Sequence, residues 1–183
     1  MSGHDLAWAL ENSDVVVGAA VVEASIERMA DGIRADYDAP PLYLTVMHGG
    51  LPFAARLAMA LGARGLDLEF DYLHATRYRG ATQGADLVWK HRPATPLAGR
   101  RVLLADDILD EGHTLAGIIE WCRAEGAADV RVAVLAVKVH DRCVEGIHAD
   151  YVGVEVPDRY VFGYGMDYHE QGRNLPAIHA LKD

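Results

Sequence analysis

Three runs of the chain are apolar almost without interruption: Leu42–Met47 (LYLTVM), Arg101–Ala105 (RVLLA) and Asp129–Val139 (DVRVAVLAVKV). Runs this short and this continuous predict strands buried on both faces, which is the condition of a parallel sheet covered by helices. Tyr151–Val156 adds another strand, closed by Pro157, and Leu66–Leu73 alternates Leu66, Leu68 and Phe70 with charges, as a half-buried strand should. Helical patterns lie between them. From about residue 19 to 37, Val22, Ile26, Met29 and Ile33 recur every three or four residues; Leu51–Leu61 and Thr114–Glu125 are the next helices. The predicted class is therefore α/β with a mostly parallel sheet flanked by helices. Thr76–Arg100 is polar and rich in Gly and Pro, and reads as a long functional or mobile loop. No repeat or linker interrupts 1–183, so a single domain is expected. In open sheets of this kind, sites gather beyond the carboxyl ends of the strands. His48, Asp106 and Lys138 all fall at such ends.

Composition narrows the function classes. With 51% apolar residues the chain can bury a real core, and no uncharged apolar run is long enough to span a bilayer. The start, MSGHDLAWALENSD, lacks a basic stretch followed by an apolar one, so no signal peptide is expected. Cys122 and Cys143 have no C-x-x-C spacing and suit reduced thiols of a cytoplasmic protein. A net charge of −10 disfavours non-specific nucleic-acid binding but leaves room for a local anion pocket. None of the nine histidines forms H-E-x-x-H or a Cys/His cluster, so structural zinc is set aside, and His140 and His148 read as surface residues. No G-x-S-x-G elbow is present.

Leu103–Leu115 (LLADDILDEGHTL) carries the chemistry. A buried strand stops at Asp106 and Asp107; Asp110, Glu111, Gly112, His113 and Thr114 then form a turn that opens a helix. Helix N-termini present unpaired N–H groups and a positive dipole end, which favour a phosphate. Gly112 lets backbone approach a ligand, and Thr114 can add a hydroxyl. Asp106 and Asp107 are poor phosphate partners but good acceptors for vicinal hydroxyls or a Mg²⁺ shell. A ribose 5-phosphate satisfies both halves. A lone acid pair would read as a solvated strand end, with Asp110 as helix cap; the coincidence of all these features argues against that.

The string resembles the phosphoribosyl-pyrophosphate (PRPP) motif of the type I phosphoribosyltransferases. That resemblance implies a parallel sheet with a small hood over its carboxyl edge, built here from about 156–183 and the N-terminal segment. Three further segments resemble the hypoxanthine-guanine members. Thr45–Phe53, with His48-Gly49-Gly50, is similar to their pyrophosphate loop, although others carry Lys or a small polar residue where His48 stands. Lys138 ends an apolar strand, and the resemblance implies that it donates to the purine O6. Val156–Tyr168, with Arg173–Pro176, is similar to the purine hood: Tyr160 would stack on the base, the Val161 backbone would bond its edge, Asp167 would hold Mg²⁺ and Arg173 would contact pyrophosphate. Asp106 and Asp107 are further candidates for the magnesium shell. The family's lid often carries a Ser-Tyr pair; the matching residues here are Arg77-Tyr78, in a lid of about 77–89.

The resemblance implies transfer of the phosphoribosyl group from PRPP to hypoxanthine or guanine with Mg²⁺, giving IMP or GMP and pyrophosphate. The purine N7 is expected to attack the ribose C1, and Asp110 to take the proton the ring sheds. The expected partners are PRPP and a 6-oxopurine, without nucleic acid or membrane, in a homodimer or homotetramer. Two alternatives stand: a xanthine-preferring enzyme, and a PRPP-binding regulator without catalysis.

Overall fold

The computed structural model describes residues 5–77 and 87–182, with Arg77 described by its backbone only. In chain order the elements are α1 (Leu6–Glu11), β1 (Ser13–Val17), α2 (Ala19–Asp36), β2 (Leu42–Val46), α3 (Leu51–Ala63), β3 (Glu69–Arg77), β4 (Leu87–His91), β5 (Arg101–Leu109), α4 (His113–Ala124), β6 (Asp129–Lys138), β7 (Tyr151–Val156), β8 (Val161–Phe162) and β9 (Ile178–Leu181). A six-stranded sheet has the order β4-β3-β2-β5-β6-β7. All its neighbours pair in parallel except β4, which runs antiparallel to β3.

The central strands divide their side chains between two cores, as the alternation of Cβ directions demands. Tyr43, Leu103, Ala105, Ala133 and Leu135 face the α2–α3 layer, and Leu44, Val102, Leu104, Val132 and Val134 face the α4 layer. Both faces of β2 are therefore buried, which is why its sequence reads as a continuous apolar run. The buried stripe of α2, Val22, Ile26, Met29, Ala30 and Ile33, has the predicted helical spacing. Its acidic edge meets α3, with Glu23 paired to Arg56 at 2.7 Å and Asp31 to Arg64 at 2.6 Å. Such pairs, open to water on their acidic side, add little to stability.

A second, antiparallel sheet of order β1-β9-β8 is the hood, assembled from segments near both ends of the described chain, as expected. Ser13 is paired with Leu181, and Val161 with Ala180. Ala9, Phe162 and Tyr168 form its own small core.

Several expectations need correction. The polar segment after Thr76 is not all loop. Strand β3 continues to Arg77, and β4 pairs back on it, with Ala75 opposite Trp89. The far end of the expected lid, Leu87–Trp89, is thus strand. The expected strand Leu66–Leu73 starts later, at Glu69, and ends later. Strand β5 does not stop at Ala105 but carries Asp106 and Asp107 within it, because Asp106 still pairs with Val134 and Leu109 with Val137 of β6. His140 is no surface residue: its side chain is only 3% exposed.

Candidate active site at the carboxyl edge

The carboxyl ends of β2, β3 and β5 and the start of α4 surround two adjoining hollows. The larger, about 570 Å³, is lined by Thr76, Asp106, Asp110 and the Glu111–Thr114 turn. The second, about 450 Å³, is lined by His48, Gly49, His74, Lys90, Asp107 and Arg173, and shares Thr76, Asp106 and Thr114 with the first. The convergence expected for His48 and Asp106 is therefore observed, and Lys138 reaches the same place through its contact with Asp110.

The turn before α4 has the form that anion binding requires. Gly112 has φ +79°, a left-handed conformation in which it starts the helix without any side-chain cap, and the first turn holds no acid. Asp110 does not cap the helix. The N–H groups at the start of α4 are left to whatever enters the larger hollow.

Asp106 and Asp107 are half-buried at the end of an apolar strand. The Asp106 carboxylate accepts from the Asp107 N–H at 2.9 Å, and the Asp107 carboxylate from the Ile108 N–H at 2.8 Å. Burial, then the charge of Asp107, pushes Asp106 well above the ordinary carboxylate range. Burial also raises Asp107, against the hydrogen bonds it receives. Such a pair gains from any ligand that brings hydroxyl donors or positive charge. Glycine is required around it. A Cβ on Gly49 would sit 2.0 Å from Asp107 Oδ2; one on Gly165, at φ +107°, would sit 2.0 Å from the Gly49 carbonyl oxygen. The loop after β2 thus packs against the Asp107 side chain of β5, and the hood against the backbone of that loop.

Asp110 is held from both sides. Lys138 Nζ donates to Oδ2 at 2.6 Å, and His140 Nε2 contacts Oδ1 at 2.7 Å. Burial pushes the Asp110 carboxyl up, but the Lys138 and His140 hydrogen bonds more than reverse it and leave it below the ordinary aspartate value. The Lys138 side chain is 13% exposed, so the ion pair answers the requirement that a lysine ending an apolar strand find a partner.

The remaining expected residues lie on the hood and outside the lining of the two hollows, except Arg173. Tyr160 precedes β8 and is 48% exposed, and its hydroxyl donates to the Asp167 carbonyl at 3.1 Å. Val161 lies on β8, the edge strand of the hood. The Asp167 carboxylate pairs with Arg173 at 2.8 Å and accepts the Glu170 N–H at 2.9 Å. Arg173 also donates to the Gly165 carbonyl at 2.8 Å, which ties hood to cleft. Tyr78 and the Arg77 side chain lie outside the described residues.

The sequence reading missed His74, Thr76, Lys90 and His140. His48 and His74 meet edge to face, with ring centroids 4.4 Å apart. Burial, then the proximity of His48, Lys90 and Arg173, holds His74 below the usual histidine value. No motif marks these residues; the alternation of β3 and β4 could have placed Thr76 and Lys90, had β4 been recognised.

Among the described residues no cluster of three or more His, Cys, Asp or Glu side chains could hold a metal unaided. The acid pair nevertheless fits Mg²⁺, which uses one or two protein carboxylates and draws its other ligands from phosphates and water. Asp167 fits less readily, because both its carboxylate oxygens already have partners.

A cleft of this construction, with a glycine turn at a helix start beside an acid pair and a small second sheet on the same chain, has the build of the type I phosphoribosyltransferases. Comparison with known proteins agrees: the phosphoribosyl transferase domain family matches residues 15–171, and the chain belongs to that family. It is 34% identical to the hypoxanthine-guanine phosphoribosyltransferase of Bacillus subtilis, over 100% of this chain and 97% of that protein. It is 32% identical to the enzyme of the same name from Streptococcus pneumoniae, with the same coverage. Among solved structures, a hypoxanthine phosphoribosyltransferase from Staphylococcus aureus superimposes with a TM-score of 0.86 at 26% identity, covering 94% of each chain. One from Trypanosoma cruzi gives 0.86 at 25%, covering 92% of this chain and 91% of its own.

Proposed function

We propose that the chain is a purine salvage enzyme of the cytoplasm that transfers the phosphoribosyl group of PRPP to hypoxanthine or guanine, forming IMP or GMP and pyrophosphate. The 1–183 chain then works as one phosphoribosyltransferase domain, hooded by 156–183 and the N-terminal segment. Its relatives of known name support the substrate class. The observation that carries the reading is the Lys138–Asp110 contact at the rim of the phosphate turn. It pairs a donor suited to a purine O6 with a carboxylate suited to a ring proton, beside a site for the ribose phosphate.

In this reading Glu111–Thr114 cradle the 5-phosphate, Asp106 and Asp107 accept the ribose hydroxyls, and His48, Gly49 and Arg173 receive pyrophosphate. Tyr160 stacks on the purine, and the free edge of β8 at Val161 bonds its rim. Asp106 and Asp107, and less readily Asp167, would hold Mg²⁺, which would supply charge neutralisation for the departing pyrophosphate. IMP and GMP carry ribose on N9, so N9 is the nucleophile; the expected attack through N7 is corrected by the chemistry of the products. The N9–C1 bond forms, the C1–O bond to pyrophosphate breaks with its electron pair, and the N7 proton passes to Asp110. Positive charge builds on the sugar meanwhile, as in glycoside hydrolysis.

The direct experiment incubates purified protein with PRPP, Mg²⁺ and hypoxanthine, guanine or xanthine in turn. Nucleotide is expected from the first two. Nucleotide from xanthine alone would favour the xanthine-preferring alternative, and none from any of the three would overturn the reading. Sedimentation of the active enzyme tests the expected homodimer or homotetramer.

A further inference from the structure

Asp110 has two donors of opposite character. Lys138 approaches Oδ2 on a flexible four-carbon stem. His140 approaches Oδ1 as a ring that is almost wholly buried, and its Nδ1 accepts the Arg142 N–H at 3.0 Å. That second bond fixes the tautomer. With Nδ1 accepting, the proton is on Nε2 and is donated to Asp110. The backbone that fixes His140 is itself anchored. The Arg142 guanidinium grips Asp158 with two hydrogen bonds of 2.7 and 2.8 Å, and its Nε lies 4.0 Å from Glu111. The charged groups facing the ring are thus Asp110 and Lys138, with Arg142, Asp158 and Glu111 behind.

Each Asp110 oxygen receives one donor, and the Lys138 ammonium on Oδ2 lowers the basicity that a proton arriving from the purine would meet. Of the two donors, Lys138 is the one that can turn away without breaking the 140–142 turn. We propose that His140 is the positioning residue of Asp110: it keeps Oδ1 throughout the cycle, while Lys138 is the exchangeable partner that releases Oδ2 to the incoming purine. This rests on the function proposed above. A 6-oxopurine offers Lys138 a new acceptor at O6; Lys138 turns to it, Oδ2 is freed, and the N7 proton moves to Oδ2 as the N9–C1 bond forms. His140 neither gains nor loses a proton. It determines which oxygen faces the base and keeps the carboxylate from rotating when its cation leaves. The short Lys138-Val139-His140 spacing thus places a reader of the base and a holder of the acid on one strand end.

Two substitutions separate this role from simple packing. The amide nitrogen of Gln overlays the position of Nε2 and can still donate to Asp110; that of Asn overlays Nδ1 and cannot reach it. His140→Asn is expected to lower kcat roughly 10- to 100-fold, the loss of one charge-assisted bond, with KM for PRPP unchanged. It should also move the acidic limb of the kcat profile upward, because the carboxylate has lost a stabilising donor. His140→Gln should restore turnover to within about threefold of the parent. In an Asp110→Asn background His140→Asn should cost nothing further. Equal losses in the Gln and Asn variants, an unmoved acidic limb, or a full loss persisting in the Asp110→Asn background would each overturn the proposal. Wild-type protein that forms no nucleotide, or Asp110→Asn protein that keeps its turnover, would instead remove the underlying reading, and these controls are scored first.

Discussion

Replacing Asp110 by Asn tests the centre of the mechanism. The carboxylate accepts from Lys138 at 2.6 Å and from His140 at 2.7 Å. Asn retains one acceptor, so one of these donors must face an amide NH₂. His140 is the fixed partner, and the amide therefore turns its oxygen to His140 and its nitrogen to Lys138. An ammonium only 13% exposed loses its counter-ion, a change worth up to about 3 kcal/mol in a dry site. Asp110 itself is 40% exposed, and water screens the pair, so the cost falls to about 1 kcal/mol. That is a drop of roughly 2–4 °C in melting temperature for a chain of this length. The chemical cost is larger. A positioned general base contributes about 10²–10⁴-fold, or roughly 3–5 kcal/mol of barrier. The expected variant is thus nearly as stable as the parent and binds PRPP as tightly, but turns over at least 100-fold more slowly. Steady-state kcat and KM with hypoxanthine, PRPP titration and a thermal melt measure the three quantities. Turnover within about fivefold of the parent, or a loss matched by weaker PRPP binding, would refute the role of Asp110 as base.

The acid pair gives the opposite sign. Burial raises Asp106 above its unfolded value, so the folded chain binds more protons in the window between the two values, and stability falls as pH rises through it. Asp106→Asn should therefore raise the melting temperature of ligand-free protein at pH 8, by about 2–4 °C per kcal/mol gained, and by less at pH 5, while weakening PRPP binding; a melting temperature unchanged or lowered at pH 8 would contradict this. Gly165→Ala forces a side chain into φ +107° and against the Gly49 carbonyl, with an expected cost of about 2–5 kcal/mol by strain and overpacking, readable in a denaturant titration. Tyr160→Ala should raise KM for hypoxanthine roughly 5- to 150-fold through lost stacking, with KM for PRPP nearly constant.

What the sequence disclosed and what it concealed divide along physical lines. The strands β2, β5 and β6 were legible because burial on both faces leaves a dense apolar run, β7 because its short apolar run is closed by Pro157, and α2 because its buried stripe repeats with the helical period. The turn before α4 was legible because its residues are contiguous. Strand β4 was not, since Leu87, Trp89 and His91 alternate with exposed partners inside a polar segment, and only pairing with β3 makes them a strand. Strands β8 and β9 are too short to carry a period and exist through each other. His140 was misread because its partner is Asp110, which no local pattern could bring to it. Asp106 and Asp107 read as the point where the strand stops, yet β6 extends alongside and keeps them in the sheet.

The order of strands in the hood has a consequence for how the protein is made. Strand β9 lies between β1 and β8, pairing Ser13 with Leu181 and Val161 with Ala180. Until residues 178–181 have left the ribosome, β1 and β8 both lack β9, whereas the β2-β5-β6 centre and the turn before α4 are already complete. Contacts between such distant parts of a chain also form late in refolding. A nascent chain therefore completes the turn at Gly112 before the small sheet, which closes only once β9 has emerged.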